Sequence, residues 1–169
     1  GACTGTGPCT VTMTAAKTVT ARFDLVAAIE TWSGTFTGNM VVTDPCGICP
    51  GTTAQWNLGG TVVVKADPGF ASGATLVTVG TGSTGTGTAT VHSQPENCSQ
   101  IYVCTIENSP FNFTFGPSAT INGTQVTFTV SFEGVQATAS ATITGNSMLG
   151  SFQISEDDVL ITVSFTVTK

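Results

Sequence analysis

The stretch QVTFTVSFEGVQATASATITGNSMLGSFQISEDDVLITVSFTVT, residues 125–168, decides the fold. Val126, Phe128, Val130 and Phe132 fall on one face of an extended chain, and Thr and Ser take the other. The same alternation runs from Val135 to Thr144, from Met148 to Ile154, and through Val159, Ile161, Val163, Phe165 and Val167. Successive side chains of a strand point to opposite faces, so a period of two with hydroxyls outside predicts strands buried on one face only. Gly145-Asn146 and Glu156-Asp157-Asp158 supply turn residues between the runs, and the whole stretch therefore predicts an up-and-down antiparallel meander.

Working outward from it, Phe111, Phe113 and Phe115 share a face, and Leu76 to Val79 is short and apolar. Residues 53–66 alternate, with Gly59-Gly60 predicting a bulge or a turn before Val62. The Gly/Thr/Ser run from Thr81 to Thr90 is expected to be a loop or a polar edge strand leading into Val91. Trp32, Gly34, Phe36 and Gly38 alternate with Ser33, Thr35 and Thr37. Every segment from Thr31 onward has period two and no βαβ rhythm occurs, which excludes nucleotide-binding α/β folds. The expected class is all-β, an antiparallel barrel or two-sheet sandwich of about eight to ten strands. An N-terminal β-hairpin or extended strand segment (residues 1–23) and a linker (24–30) are expected to precede this domain (31–169).

Composition narrows the function. Charged residues make up 8% of the chain and its net charge is −6, against about 25% charged in an ordinary soluble domain. Thr and Gly fill the surface instead, a balance that suits secreted bacterial adhesion modules. The only basic residues are Lys17, Arg22, Lys65 and Lys169. They cannot assemble the basic stripe that phosphate neutralisation needs, nor a polybasic membrane contact. No apolar run approaches the ~20 residues that span a bilayer. The chain starts without Met or a signal sequence, so it reads as a processed or excised piece of a longer protein.

Six cysteines stand at Cys3, Cys9, Cys46, Cys49, Cys98 and Cys104. An even count in such a chain points to disulfides and an oxidising, extracellular compartment. Zinc is the rival reading: Cys46-Gly-Ile-Cys49 has knuckle spacing, but the C-x5-C of Cys98 and Cys104 is wide for one. Pro50 stands where a c-type haem site requires His, and the turn framed by Pro45 and Pro50 does not suit a thioredoxin-like pair. A tight Gly/Pro loop can bring Cys3 and Cys9 together. The strand-like Gln100-Ile-Tyr-Val103 would hold Cys98 and Cys104 apart, which favours links from the 46/49 loop to the 98/104 segment.

Two resemblances add to this reading. Residues 1–23, GACTGTGPCTVTMTAAKTVTARF, resemble the closing segment of the divergent internalin-B-type repeats of bacterial surface proteins, with a Cys-bracketed Gly/Thr loop, a V-T-M strand and a V-T-A-x-F strand. The first half of such a repeat is missing. A lone hairpin cannot bury its apolar face, so this one is expected to pack on the following domain or pair with another chain, unless it is an excision remnant. Residues 31–169 are more loosely similar to small β-barrel domains of bacterial exported proteins, through Thr31-Trp-Ser-Gly-Thr-Phe-Thr-Gly38 and Ile143-Thr-Gly-Asn-Ser-Met-Leu-Gly-Ser-Phe152. That resemblance implies a fold and says little about activity.

Few residues suggest chemistry. His92, the only histidine, follows Val91 on an expected strand with no acidic partner nearby in sequence, so catalysis through it is not expected. Ten acids scattered over turns offer no paired carboxylates for glycoside hydrolysis. Glu156, Asp157 and Asp158 are a weak calcium candidate, since no spaced acidic loop accompanies them. Trp56 and Tyr102 are candidates for stacking on a ligand, whereas alternation assigns Trp32 to the core. No cofactor is expected. The expected function is a non-catalytic extracellular structural or adhesive surface module that polymerises by strand exchange, with Val11, Met13, Val19 and Phe23 entering a neighbouring subunit. Its partners are then other protein subunits. The alternative is a barrel that binds a glycan or small ligand.

Overall fold

A computed structural model describes residues 29–45, 47, 51–67, 76–93 and 107–169, and they form an all-β structure. Nine strands follow one another: β1 (Glu30–Thr43), β2 (Thr53–Ala66), β3 (Leu76–Thr78), β4 (Thr84–Ser93), β5 (Ser109–Asn122), β6 (Gln125–Phe132), β7 (Val135–Thr144), β8 (Ser147–Glu156) and β9 (Val159–Thr168). Each is antiparallel to its neighbours. β1 pairs with β2 on one edge and β9 on the other, and the pairing of β5 with β6 joins the two ends of the row. All the strands except β3 therefore close into an eight-stranded antiparallel barrel, and the sandwich alternative falls away. Closure removes the sheet edges that an open meander of this length would expose.

The alternation read from sequence becomes an inside and an outside. Trp32 and Phe36 of β1, Leu58, Val62 and Val64 of β2, and Phe111 and Phe113 of β5 are buried inward, as are Phe128, Phe152 and Phe165 from β6, β8 and β9. Phe113 lies 5.2 Å from Phe36, 5.7 Å from Phe115 and 5.0 Å from Phe152 between ring centroids, in edge-to-face arrangements. A barrel of eight strands is just wide enough for side chains to fill, and here phenylalanines fill it. Small inward residues face these large ones. A Cβ built on Gly150 would lie 2.8 Å from Cε1 of Phe165, and one on Gly85 would lie 2.7 Å from Cε2 of Phe113.

This complementarity corrects two expectations. The Gly/Thr run is neither a loop nor an edge strand: Thr84–Ser93 is a wall strand paired on both sides, to β2 and to β5. Its Thr residues face out while Gly85, Gly87 and Ala89 stand on the inward row; a side chain at Gly85 would meet the ring of Phe113 and one at Gly87 the backbone of Gly59 and Gly60, so this row stays small. Gly59-Gly60 does not interrupt β2 either. The register runs through both, and the irregularity lies at Gln55/Trp56. Glu30, expected in the linker, pairs with Ala66 and opens β1. Residues 1–28, with the expected N-terminal hairpin, lie outside the described residues.

The two ends of the barrel differ. At the end where β1 begins and β9 finishes, the Lys169 ammonium sits 5.1 Å over the Trp32 ring and 2.9 Å from the Glu30 carboxylate. Nearby, buried Ser83 binds three elements: its Oγ accepts from the Lys65 backbone N–H at 2.9 Å and donates to the Gly80 carbonyl at 2.8 Å, and its carbonyl accepts from Phe115 N–H at 3.0 Å. The wall is thereby continuous where β3 gives way to β4.

At the opposite end the wall is split. β7 and β8 pair from Thr144/Ser147 only as far as Ala139/Phe152. β7 nonetheless pairs with β6 from Val135 to Thr142, and β8 with β9 along its whole length. Residues 135–138 and 153–156 therefore diverge from each other while each remains anchored on its far side.

Candidate functional site

Around the split, the barrel opens into a cleft of about 690 Å³. Met40, Val42, Phe132, Val135, Ile154 and Val159 form its apolar wall, and Glu133 and Glu156 stand among its lining residues. The cleft is built from the ends of β1, β6 and β8 and the starts of β7 and β9, with Phe111 and Ile161 behind them. Phe111 stacks on Phe132 at 4.8 Å, so the cleft stops against the aromatic filling and does not run through the barrel.

The charge at this end has one sign. Asp44 follows β1, Glu107 precedes β5, Glu133 lies in the β6–β7 turn, and Glu156, Asp157 and Asp158 form the β8–β9 corner. The lysines among the described residues, Lys65 and Lys169, both belong to the sealed end. Glu133 and Asp157 have positive φ values of 50° and 42° and sit in two-residue turns between paired strands, where the chain's right-handed twist favours that conformation.

The residues singled out from sequence are scattered over this frame. His92 is exposed near the end of β4, and its Nδ1 lies 3.4 Å from Nδ2 of Asn57; no carboxylate orients it among the described contacts. Trp56 is not an exposed stacking surface: it is 8% exposed, and its indole N–H donates to the Glu107 carbonyl at 3.1 Å. Its neighbours Gln55 and Asn57 are exposed because the strand alternates, and Trp56 occupies the inward row between them. Glu156, Asp157 and Asp158 are exposed at the turn, and among the described residues no group of three His, Cys, Asp or Glu is placed to hold a metal ion. Tyr102, the six cysteines Cys3, Cys9, Cys46, Cys49, Cys98 and Cys104, and the strand-exchange candidates Val11, Met13, Val19 and Phe23 lie outside the described residues.

Compared with family models, with curated proteins and with solved structures, the chain matches none.

Sequence reasoning missed the cleft and the acidic ring around it. One signal for the ring was available. Alternate turns of an up-and-down meander lie at the same end, so assigning turns in order places Glu133 and Glu156 to Asp158 together. The split has one faint signal, Glu156, an acid that ends the inward row of β8; residues 135–138 and 153–155 otherwise alternate as regularly as the paired stretches beside them.

Proposed function

We propose that the chain is a non-catalytic structural or adhesive module of an extracellular bacterial surface protein. The observation that carries this reading is the solid interior: among the described residues the aromatic cluster leaves the outer wall and the open mouth to meet a partner. The wall is a field of Thr and Ser hydroxyls with charges confined to the ends, a surface suited to many weak polar contacts. The resemblance of residues 1–23 to a surface-protein repeat, and the even cysteine count, support an extracellular setting. The lone histidine is exposed, and among the described residues its side-chain contact is with Asn57 and not with an acid, which supports a role without chemistry. Display of the full chain on a non-adherent bacterium tests the reading: attachment to other cells or to a coated surface should rise over the parent strain. No gain in attachment on any surface tried sinks it.

A second reading is favoured by the cleft itself, whose volume and apolar wall suit a small ligand. A neutral solvatochromic dye titrated into the full chain should then brighten, and Ile154→Trp, which fills the cleft, should abolish the signal. Glycan screening belongs with this test, but Trp56→Ala is a poor control for it because Trp56 is a core residue.

A further inference from the structure

We infer that the β7–β8 split is a strand-acceptor site, and that its occupant is residues 17–23 of a second copy of this chain. The inference rests on the structural-module reading and names the place where one subunit holds the next. In antiparallel ladders, residues alternate between bonding one neighbour and bonding the other. The Ile143 N–H donates to the Thr124 carbonyl at 2.8 Å, and the Lys169 N–H to the Asn146 carbonyl at 3.1 Å, which fixes the phase of the alternation in the β6–β7 and β8–β9 ladders. Odd-numbered residues of β7 thus bond β6, and even-numbered residues of β8 bond β9. Gln136 and Thr138 on one side, and Gln153 and Ser155 on the other, direct their N–H and C=O groups into the split. The register that would pair them stops at Ala139/Phe152. This is a gap with two rows of backbone donors and acceptors, one on each side, and an apolar floor at Val135 and Ile154. The other ladders that end early at this mouth, β4–β5 at Ala89/Ser109 and β5–β6 at Thr114/Ser131, have one strand running on and not two.

Charge and reach select the occupant. The mouth is ringed by acids, and two of the chain's four basic residues fall in Lys17-Thr-Val-Thr-Ala-Arg-Phe23. The sequence of that segment alternates as the split requires: a docked strand that turned Val19, Ala21 and Phe23 to the cleft would turn Thr18, Thr20 and Arg22 to solvent and set Lys17 at the acidic rim. Its own barrel is out of range. The split begins level with Gly38, which pairs with Val163, itself the partner of Phe152. From Glu30 to that level is roughly 26 Å of strand. The seven links from Phe23 to Glu30 reach at most about 25 Å when fully extended, and the split also lies around the wall from β1, beyond β9 and β8, so Phe23 of the same chain falls short and the neighbour's segment does not.

Sedimentation velocity of the full chain over a concentration series, with hydrogen exchange on the same samples, tests this. The mass should rise with concentration, and exchange of the Gln136, Thr138, Gln153 and Ser155 amides should slow at least tenfold in the assembled fraction. Gln136→Pro removes an N–H that faces the split and no rung of the β6–β7 ladder, and it should return the chain to monomer. Val19→Asp with Phe23→Asp lies outside the barrel and should do the same, which keeps the test valid if the proline variant misfolds. A chain that stays monomeric overturns the inference, as does association that the aspartate pair leaves intact, or slowed exchange confined to other strands. A monomer that still promotes attachment refutes strand docking alone. An assembling chain that promotes none refutes the adhesive reading alone.

Discussion

Gly85→Ala should destabilise the barrel, although the same change in most strands would help. Two effects oppose each other. Replacing Gly by Ala lowers the conformational freedom of the unfolded chain, which stabilises by about 0.5–1 kcal/mol where the backbone tolerates it. Here the new Cβ would sit 2.7 Å from Cε2 of Phe113 and closer still to Cζ and Cε1, against 3.4 Å for ordinary contact. The ring cannot swing aside, because Phe36, Phe111, Phe115 and Phe152 surround it with centroids 5.0–6.0 Å away. Overpacking a filled core costs about 1–3 kcal/mol, which outweighs the entropic gain and leaves about 1–2 kcal/mol of net destabilisation. That corresponds to a fall of roughly 2–8 °C in Tm for a domain of this size. Urea unfolding followed by the fluorescence of buried Trp32 and Trp56 measures it, with cysteines in the same oxidation state in both proteins. A midpoint equal to or above that of the parent refutes the steric argument. A second refutation comes from Phe113→Leu: if ring and Cβ collide, the double variant should be less destabilised than the two singles together by at least ~0.5 kcal/mol, whereas strict additivity would mean that they do not touch.

Other expectations follow from the same packing. Trp56→Ala should cost about 3–5 kcal/mol as a core truncation, and Trp56→Phe about 1 kcal/mol for the lost bond to the Glu107 carbonyl, both read from urea midpoints. Lys169→Gln removes a cation from above Trp32 and a partner from Glu30, and should cost about 1 kcal/mol, part of it vanishing in high salt. His92→Ala should change stability by less than ~0.5 kcal/mol and leave attachment unaltered, since the side chain is exposed and its contact with Asn57 is long. Glu156→Ile replaces the acid at the mouth of an inward row with an apolar side chain; it should extend β7–β8 pairing and slow exchange of the Gln136 and Gln153 amides in the monomer, and unchanged exchange would contradict that account.

The parts of the fold that were legible in sequence are those where one physical rule acts alone. From Gln125 to Thr168 every inward position except Glu156 at the mouth is apolar or small and every turn is two residues long, so period and turn chemistry agree and the meander could be read directly. The Gly/Thr run of β4 misled because its inward row carries glycines, and a strand that contributes space instead of bulk has no hydrophobic signal. The bulk it accommodates is Phe113, some twenty-eight residues later, which the β4–β5 register sets directly opposite Gly85. Trp56 misled for the opposite reason. Its polar neighbours suggested exposure, yet in an alternating strand polar neighbours accompany a buried residue.

Closure also changes what strand exchange requires. An open meander could have taken a donated strand at either edge, but the β1–β9 and β5–β6 ladders remove both. Exchange then needs a place where a ladder stops early with a strand running on at both sides, and the wall has such a place between β7 and β8. Its position has a physical reason. The inward row of β8 runs Met148, Gly150, Phe152, Ile154 and then Glu156, whose carboxylate would lose its hydration if the strand continued to close over the cleft. The Phe132-Glu133 corner ends β6 in the same way, with an acid at the mouth. The acids that keep this end open are thus the ones that would select a basic occupant, and residues 17–23 supply two bases on an alternating apolar frame.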